Sequence, residues 1–452
     1  MPAFGKRAIR LVVGIGLIFG SGVPFSYAQD RREVHEPSLP ARVCATLMPE
    51  RSSNSGNDQK RLQSAIDDCA PGEAVHLAAN TDGARFLSGP LTMKPGVTLW
   101  LDRGVVLAAS PDPLLYDING QCGTIDDSGK GCRPFILFQK AQGGGIVGDG
   151  EIDGQGGSQM TGRDETWWQL ARRAHSHGKQ NAPRLIEIER GGDLIFYGVT
   201  LRNAPNFHIA MNGVAGATFW GIKIDTPAEA RNTDGIDPGS SEDITIAHSF
   251  IRTGDDNIAI KALSGPTRHV SILDSHLYWG HGMSIGSETT AGVSDILVRN
   301  LTLDGTTSGL RIKSDVSHGG TVSNVRFENV CLRGNRRPID LDTHYDKKAQ
   351  GTSIPVYRGI VLNNIVGEAG DLVFHGYDEA HLLDVTLDGV RFNENARWEV
   401  EHARLLVGTD GVSPSPPDLE ATSARNDLDC AKRWLPFPDG RPTPLDAGRS
   451  SR

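Results

Sequence analysis

Three stretches decide the fold: Asp243-Ile-Thr-Ile-Ala-His-Ser-Phe-Ile, His269-Val-Ser-Ile-Leu-Asp-Ser-His-Leu and Asp295-Ile-Leu-Val-Arg-Asn-Leu-Thr-Leu. They start 26 residues apart, and Asn324-Val-Arg-Phe-Glu-Asn-Val-Cys-Leu follows after 29. Asp193-Leu-Ile-Phe-Tyr-Gly-Val-Thr-Leu and Thr218-Phe-Trp-Gly-Ile-Lys-Ile fit the same frame upstream, and Tyr357-Arg-Gly-Ile-Val-Leu-Asn-Asn-Ile and Leu383-Asp-Val-Thr-Leu-Asp-Gly-Val extend it downstream. Periods of 20–30 residues with strand-like content point to a leucine-rich repeat or a parallel β-helix. The leucine-rich signature is missing, so the spacing predicts an all-β, single-domain, right-handed parallel β-helix whose interior is filled by stacked Ile and Val.

Outward from the repeats, Leu62, Ala65 and Ile66 form an apolar stripe that predicts a short helix over Asp58 to Asp68, with Asn57 as its cap. Such a helix suits the open end of a solenoid, whose exposed strand edges invite aggregation; an ordinary surface helix is the alternative. A second helix is expected around Glu165 to Arg173. The first 28 residues have Lys6, Arg7 and Arg10 before a short apolar run from Leu11 to Gly20, then Ser26-Tyr27-Ala28, the pattern of a cleaved export signal. That run is shorter than the roughly 20 apolar residues that span a bilayer. The domain division expected is therefore 1–28 signal, 29–405 β-helix and 406–452 a C-terminal extension ending in a flexible tail from Gly440.

Six cysteines in an exported chain suggest up to three disulfides among 15 possible pairings. Proximity favours Cys122 with Cys132 and Cys44 with Cys69, leaving Cys331 with Cys430. No cysteine pair has zinc-ligand spacing, and no metal or cofactor is expected. A net charge of −9 argues against nucleic acid as a partner. A capped solenoid needs no second subunit, so a soluble, secreted monomer is expected.

Four polar clusters recur at the solenoid period: Asn232-Thr233-Asp234-Gly235-Ile236-Asp237, Gly254-Asp255-Asp256-Asn257, Gly280-His281-Gly282 and Arg311-Ile312-Lys313. Taken alone, each has a bland explanation, since Asp-Asp is usually a solvated turn and Gly-His-Gly a loop. In register, about 4.8 Å apart per coil, they meet on one face. Three carboxylates that close raise at least one pKa, giving a protonated acid beside an ionised base, as glycosidic hydrolysis requires. Arg311 and Lys313 suit a sugar that carries a carboxylate. Lys261, Lys347 and Lys348 are further candidates for a locally positive groove. Adjacent strand residues point to opposite faces, so Asp255 and Asp256 must sit at a turn or bulge to serve one site.

With those residues placed, the chain resembles family 28 of the glycoside hydrolases, among its bacterial endopolygalacturonases. The resemblance runs from Cys44 to about Glu401 and includes Phe86-Leu-Ser-Gly-Pro-Leu, Gly150-Glu-Ile-Asp-Gly-Gln-Gly-Gly, Asn206-Phe-His, Gly280-His-Gly-Met-Ser-Ile-Gly-Ser-Glu and Gly309-Leu-Arg-Ile-Lys-Ser-Asp. It implies metal-free, inverting hydrolysis of α-1,4-galacturonan. Asp255 would be the general acid, Asp234 and Asp256 would activate water, and His281 would support the acid. Arg311 and Lys313 would bind the galacturonate carboxylate, with Asn232 and Tyr345 helping to hold the sugar. An exo-acting hydrolase, a Ca²⁺-dependent pectate lyase and a non-catalytic β-helix adhesin are the alternatives.

Overall fold

Strand-forming residues alternate with turn residues along each coil, which covers three faces either with three short strands or, as at Ile209–Trp220 and Thr321–Arg333, with one long strand that bends through two of them. In the computed structural model, which describes residues 29–49, 58–80, 83–417, 419 and 423–438, these build one 31-stranded sheet wound into a parallel β-helix. The export signal, the Asn57 cap and the tail from Gly440 lie outside the described residues. The first face includes Ile236–Asp237, Ile258–Ile260, Met283–Ile285, Ser308–Lys313 and Arg337–Asp342. On the second lie Glu242–Ala247, Thr267–Leu273 and Val293–Arg299, and on the third Phe250–Arg252, His276–Tyr278 and Thr302–Asp304.

Register follows the sequence period. Ile244 pairs with Val270, Val270 with Ile296 and Ile296 with Val325, and all four side chains are fully buried. Phe196 and Phe219 stack in the core with ring centroids 4.8 Å apart. At one outer turn Asn300, Asn329 and Asn364 adopt positive φ, which asparagine tolerates. Their amides link coil to coil: Asn300 donates to Asp274 at 2.8 Å, Asn329 to Asn300 at 3.1 Å and Asn364 to Asn329 at 2.6 Å.

The helix expected near the start spans Gln59–Asp68 and buries Leu62 and Ile66 against the first coils. Lys94 donates to the Asp67 and Cys69 carbonyls at its C-terminal end, both at 2.7 Å. The second helix is Trp167–Ala174, closed by a reciprocal cap between Thr166 and Gln169. All three expected disulfides are formed. No helix among the described residues is long and apolar enough to cross a membrane.

Both ends of the described chain strap the solenoid. Strand pairing continues through Ala403–Val407 and Val412–Ser413, past residue 405, where the sequence division places the end of the β-helix. Beyond it, the chain runs back over the third face toward earlier coils. Asn426 donates to the Ile365 carbonyl at 3.2 Å, Cys430 is bonded to Cys331, and the Leu435 carbonyl accepts from Tyr278 Oη at 2.8 Å. Phe437 is buried against Arg252, 3.8 Å from its guanidinium carbon. At the other end, Asp30 accepts from Thr245 Oγ1 at 2.7 Å and Glu36 accepts from Tyr197 Oη at 2.7 Å, so this segment crosses the second face.

Candidate active site

The turn entering Ile258–Ile260 holds Asp255 and Asp256. Asn257 organises it from within, donating to the carbonyls of Ile251, Tyr278 and Trp279 at 3.0–3.1 Å and accepting the Gly282 N–H at 2.9 Å. Because these residues precede the strand, strand alternation does not separate the two carboxylates. One coil later the same turn is Gly280-His281-Gly282. The His281 N–H donates to the Asp255 carbonyl at 2.9 Å, which locks the two turns together. A Cβ on Gly282 would lie 2.1 Å from the Ser308 carbonyl oxygen, and φ there is +91°, so no other residue fits.

Asp256 is the most closely held acid. One carboxylate oxygen accepts from Ser284 Oγ at 2.8 Å and the other from Lys313 Nζ at 2.8 Å, with Arg311 Nη1 3.7 Å away. Burial pushes its pKa up, but the Lys313 charge and its companions outweigh that and hold it below the usual carboxylate range. Burial also acts on Asp255; there the hydrogen bond to His281 Nδ1, 3.0 Å long, and the electrostatic pull of that ring and of Lys313 win, holding its pKa below the usual carboxylate range. Asp234 goes the other way. Burial, then repulsion from Asp237 and Asp255, lift it well above the ordinary value. Its Oδ1 is buried without a hydrogen-bond partner among the described residues. The expectation that crowding raises one carboxyl's pKa is thus met at Asp234, while Asp255 and Asp256 are held low.

The cations are engaged as well. Register stacks Ser284 beside Arg311 and Arg311 beside Asp340 on successive coils. Arg311 Nε lies 3.2 Å from Asp340, which also accepts from Ser308 Oγ at 2.8 Å. Arg311 and Lys313 both sit over the Tyr345 ring, 5.2 and 5.0 Å from its centroid, and Tyr345 is 46% exposed. Asn232 is partly buried at the turn before Asp234, its Oδ1 accepting from Arg231 Nε at 3.1 Å. Lys261 contributes no open positive field: it is bound to Asp237 at 2.8 Å, stands 3.6 Å from Asp234 and covers the Phe207 ring. Lys347 and Lys348 are exposed on the loop after Tyr345.

Four contributors were not singled out as site residues from the sequence. Ser284 and Asp340 owe their roles to register, readable only once the Arg311 column is aligned. Asp237, in a recognised cluster, proves to be the partner of Lys261, its pKa pushed up to about 6 by burial against that lysine's opposing charge. His208 is fully buried, its Nδ1 donating to the Asp234 carbonyl (3.0 Å) and its Nε2 paired with Thr226 Oγ1 (2.7 Å); burial pushes its pKa down to about 4, so the neutral ring braces the Asp234 backbone.

Asp255, Asp256 and His281 bring donor atoms within 4.8 Å of one another, a grouping that could hold a cation. Lys313 already supplies positive charge to Asp256 at hydrogen-bond distance, which competes with any metal there. What the arrangement offers chemically is a protonatable acid, ionised carboxylates and two cations beside an exposed aromatic ring.

The family model for glycosyl hydrolases family 28 matches residues 98–405. An endo-polygalacturonase of Pectobacterium parmentieri is 41% identical over 406 residues, covering 89% of this chain and 98% of that protein. A polygalacturonase of Ralstonia solanacearum is 39% identical, covering 91% and 94%. The solved polygalacturonase from Erwinia carotovora ssp. carotovora superposes with a TM-score of 0.79 at 41% identity, covering 83% of this chain and all of that one.

Proposed function

Because the chain belongs to glycosyl hydrolases family 28, we propose that it is an endo-acting polygalacturonase that cleaves α-1,4-galacturonosyl bonds with inversion of configuration. The carrying observation is the convergence of Asp234, Asp255, Asp256 and His281 with the Arg311–Lys313 pair on one face of the solenoid. A uronate carboxylate docks on Arg311 and Lys313 against Tyr345, while Asn232 contacts a neighbouring hydroxyl.

In the free site burial and the neighbouring carboxylates raise the Asp234 pKa, while His281 holds that of Asp255 low. Substrate reverses this. Its carboxylate adds negative charge beside Asp255 and engages Lys313, and its ring excludes water from the Asp255 side chain, which is 20% exposed in the free site. Both changes raise the Asp255 pKa. Asp255 then takes up a proton, and His281 holds the protonated carboxyl in position. Asp255 then delivers it to the glycosidic oxygen as the bond to the anomeric carbon breaks. A water on the opposite side, oriented by Asp234 and Asp256, attacks that carbon and gives its proton to the carboxylate pair.

Export is part of the same proposal: the signal-like residues 1–28 and three disulfides suit an oxidising, extracellular setting. The test follows product size over time on polygalacturonate, in wild type and Asp255→Asn. A spread of oligomers at early times, and a rate loss of several orders of magnitude in the variant, are expected. Monomer or dimer alone would overturn endo action, and wild-type turnover by Asp255→Asn would overturn the acid assignment.

A further inference from the structure

A cavity of about 970 Å³ lies at the corner between the second and third faces, away from the first-face strands that carry the acids. One column of paired residues runs Trp100, Val147, Tyr197, Trp220 and Ala247 through five successive coils, four strand steps or about 19 Å. Immediately after that column, three adjoining coils place Gly148, Gly198 and Gly221 at the turn, so the corner is a furrow where side chains would otherwise stand. A Cβ at Gly148 would meet Trp100 Cδ1 at 2.9 Å, and one at Gly221 would meet nothing within 4 Å. Trp100, Tyr197 and Trp220 are each only partly buried along this furrow. Trp100 is backed by His76, with ring centroids 4.4 Å apart, and Trp220 by His248 at 4.5 Å.

The open side is walled by the N-terminal strap, fixed there by Glu36 through Tyr197 Oη. On the rim stand Asp102, held by His76 at 2.8 Å, Asp149, paired with Arg103 at 2.9 Å, and Lys223. Partly buried aromatic rings along a groove, with fixed polar groups at its edge, suit a ligand having apolar faces and a hydroxylated rim. Three carboxylates against two cations in the lining disfavour a polyuronate.

We propose that this furrow is an accessory binding site for an uncharged polysaccharide segment, distinct from the hydrolytic cleft. It would tether the protein to neutral glycan lying beside its acidic substrate, raising the local concentration of that substrate. The proposal does not depend on the catalytic roles assigned above.

Tryptophan fluorescence titrations with cellohexaose and with β-1,4-galactohexaose test it. At least one should give a saturable change that saturating trigalacturonate does not displace. Gly221→Asn places a side chain in open space at φ +62°, which asparagine accepts, so the fold is kept while the furrow is filled. That variant, and Trp220→Ala separately, should bind about tenfold more weakly, with hydrolysis of soluble polygalacturonate unchanged. Absence of saturable binding by both neutral probes, equal affinity in Gly221→Asn, or displacement by trigalacturonate would overturn the proposal.

Discussion

Replacing Ser284 with alanine isolates the electrostatics of Asp256 from substrate contact. Ser284 is fully buried, and its hydroxyl donates to Asp256 Oδ1 at 2.8 Å. Lys313 remains on the other oxygen at 2.8 Å, and Arg311 stands 3.7 Å away. A hydrogen bond to an ionised acceptor contributes about 1.5–3 kcal/mol, which corresponds to about one to two pH units in the acid's titration. The sign follows from the state favoured: Ser284 stabilises the carboxylate, so its loss raises the Asp256 pKa. If Asp256 must be ionised to activate water, the acid limb of the kcat/KM profile moves up by about one to two pH units, with the activity near neutrality largely retained. Stability changes in step. The depressed Asp256 pKa contributes stability that is present above its unfolded value of about 3.9 and lost as pH falls through the folded pKa. Ser284→Ala should therefore be destabilised at pH 7 and match wild type in strong acid. Initial rates by reducing-end assay and urea midpoints, both across pH, provide the two readouts. An unmoved acid limb alongside the expected loss of stability would refute Asp256 as the titrating base.

Three further outcomes follow from neighbouring contacts. Asp340→Asn removes the charge that orients Arg311, so KM for polygalacturonate should rise about tenfold with a smaller change in kcat; a loss confined to kcat would argue against carboxylate binding by Arg311. Cys430→Ser opens a cross-link between residues 99 apart in sequence and should lower stability by roughly 2–5 kcal/mol; an unchanged urea midpoint would mean that the strap adds nothing to the fold. EDTA should leave activity intact, because Lys313 rather than a metal neutralises Asp256; loss of activity together with ultraviolet-absorbing unsaturated products would establish a cation-dependent lyase instead.

The sequence disclosed what repeats. Ile244, Val270, Ile296 and Val325 were legible as one core column because the period is constant, and the same period brought Asp255, His281 and Arg311 to one face. It disclosed less where function depends on exact register. Ser284 looks like an ordinary strand serine until it is paired with Arg311, and Asp340 emerges only as the next member of that column. Lys261 resembled a groove cation, yet Asp234 and Asp237 neutralise it, which no spacing argument reveals. The C-terminal strap has no period to read; its course is set by Cys331, by Tyr278 and by the surface of Arg252 that Phe437 covers. Proximity predicts a raised pKa among three acids without saying whose; burial beside Asp237 lifts that of Asp234, whereas the His281 contact holds that of Asp255 low.

The central claim is a single displacement by water directed by Asp234 and Asp256 across the bond that Asp255 protonates. Proton NMR of the newly formed reducing ends, recorded before mutarotation, tests it most directly. Inversion predicts that β-anomers appear first from the α-linked polymer and then relax toward the equilibrium mixture. Initial release of α-anomers would contradict the account, because it requires a covalent or double-displacement route that this arrangement of carboxylates is not proposed to support.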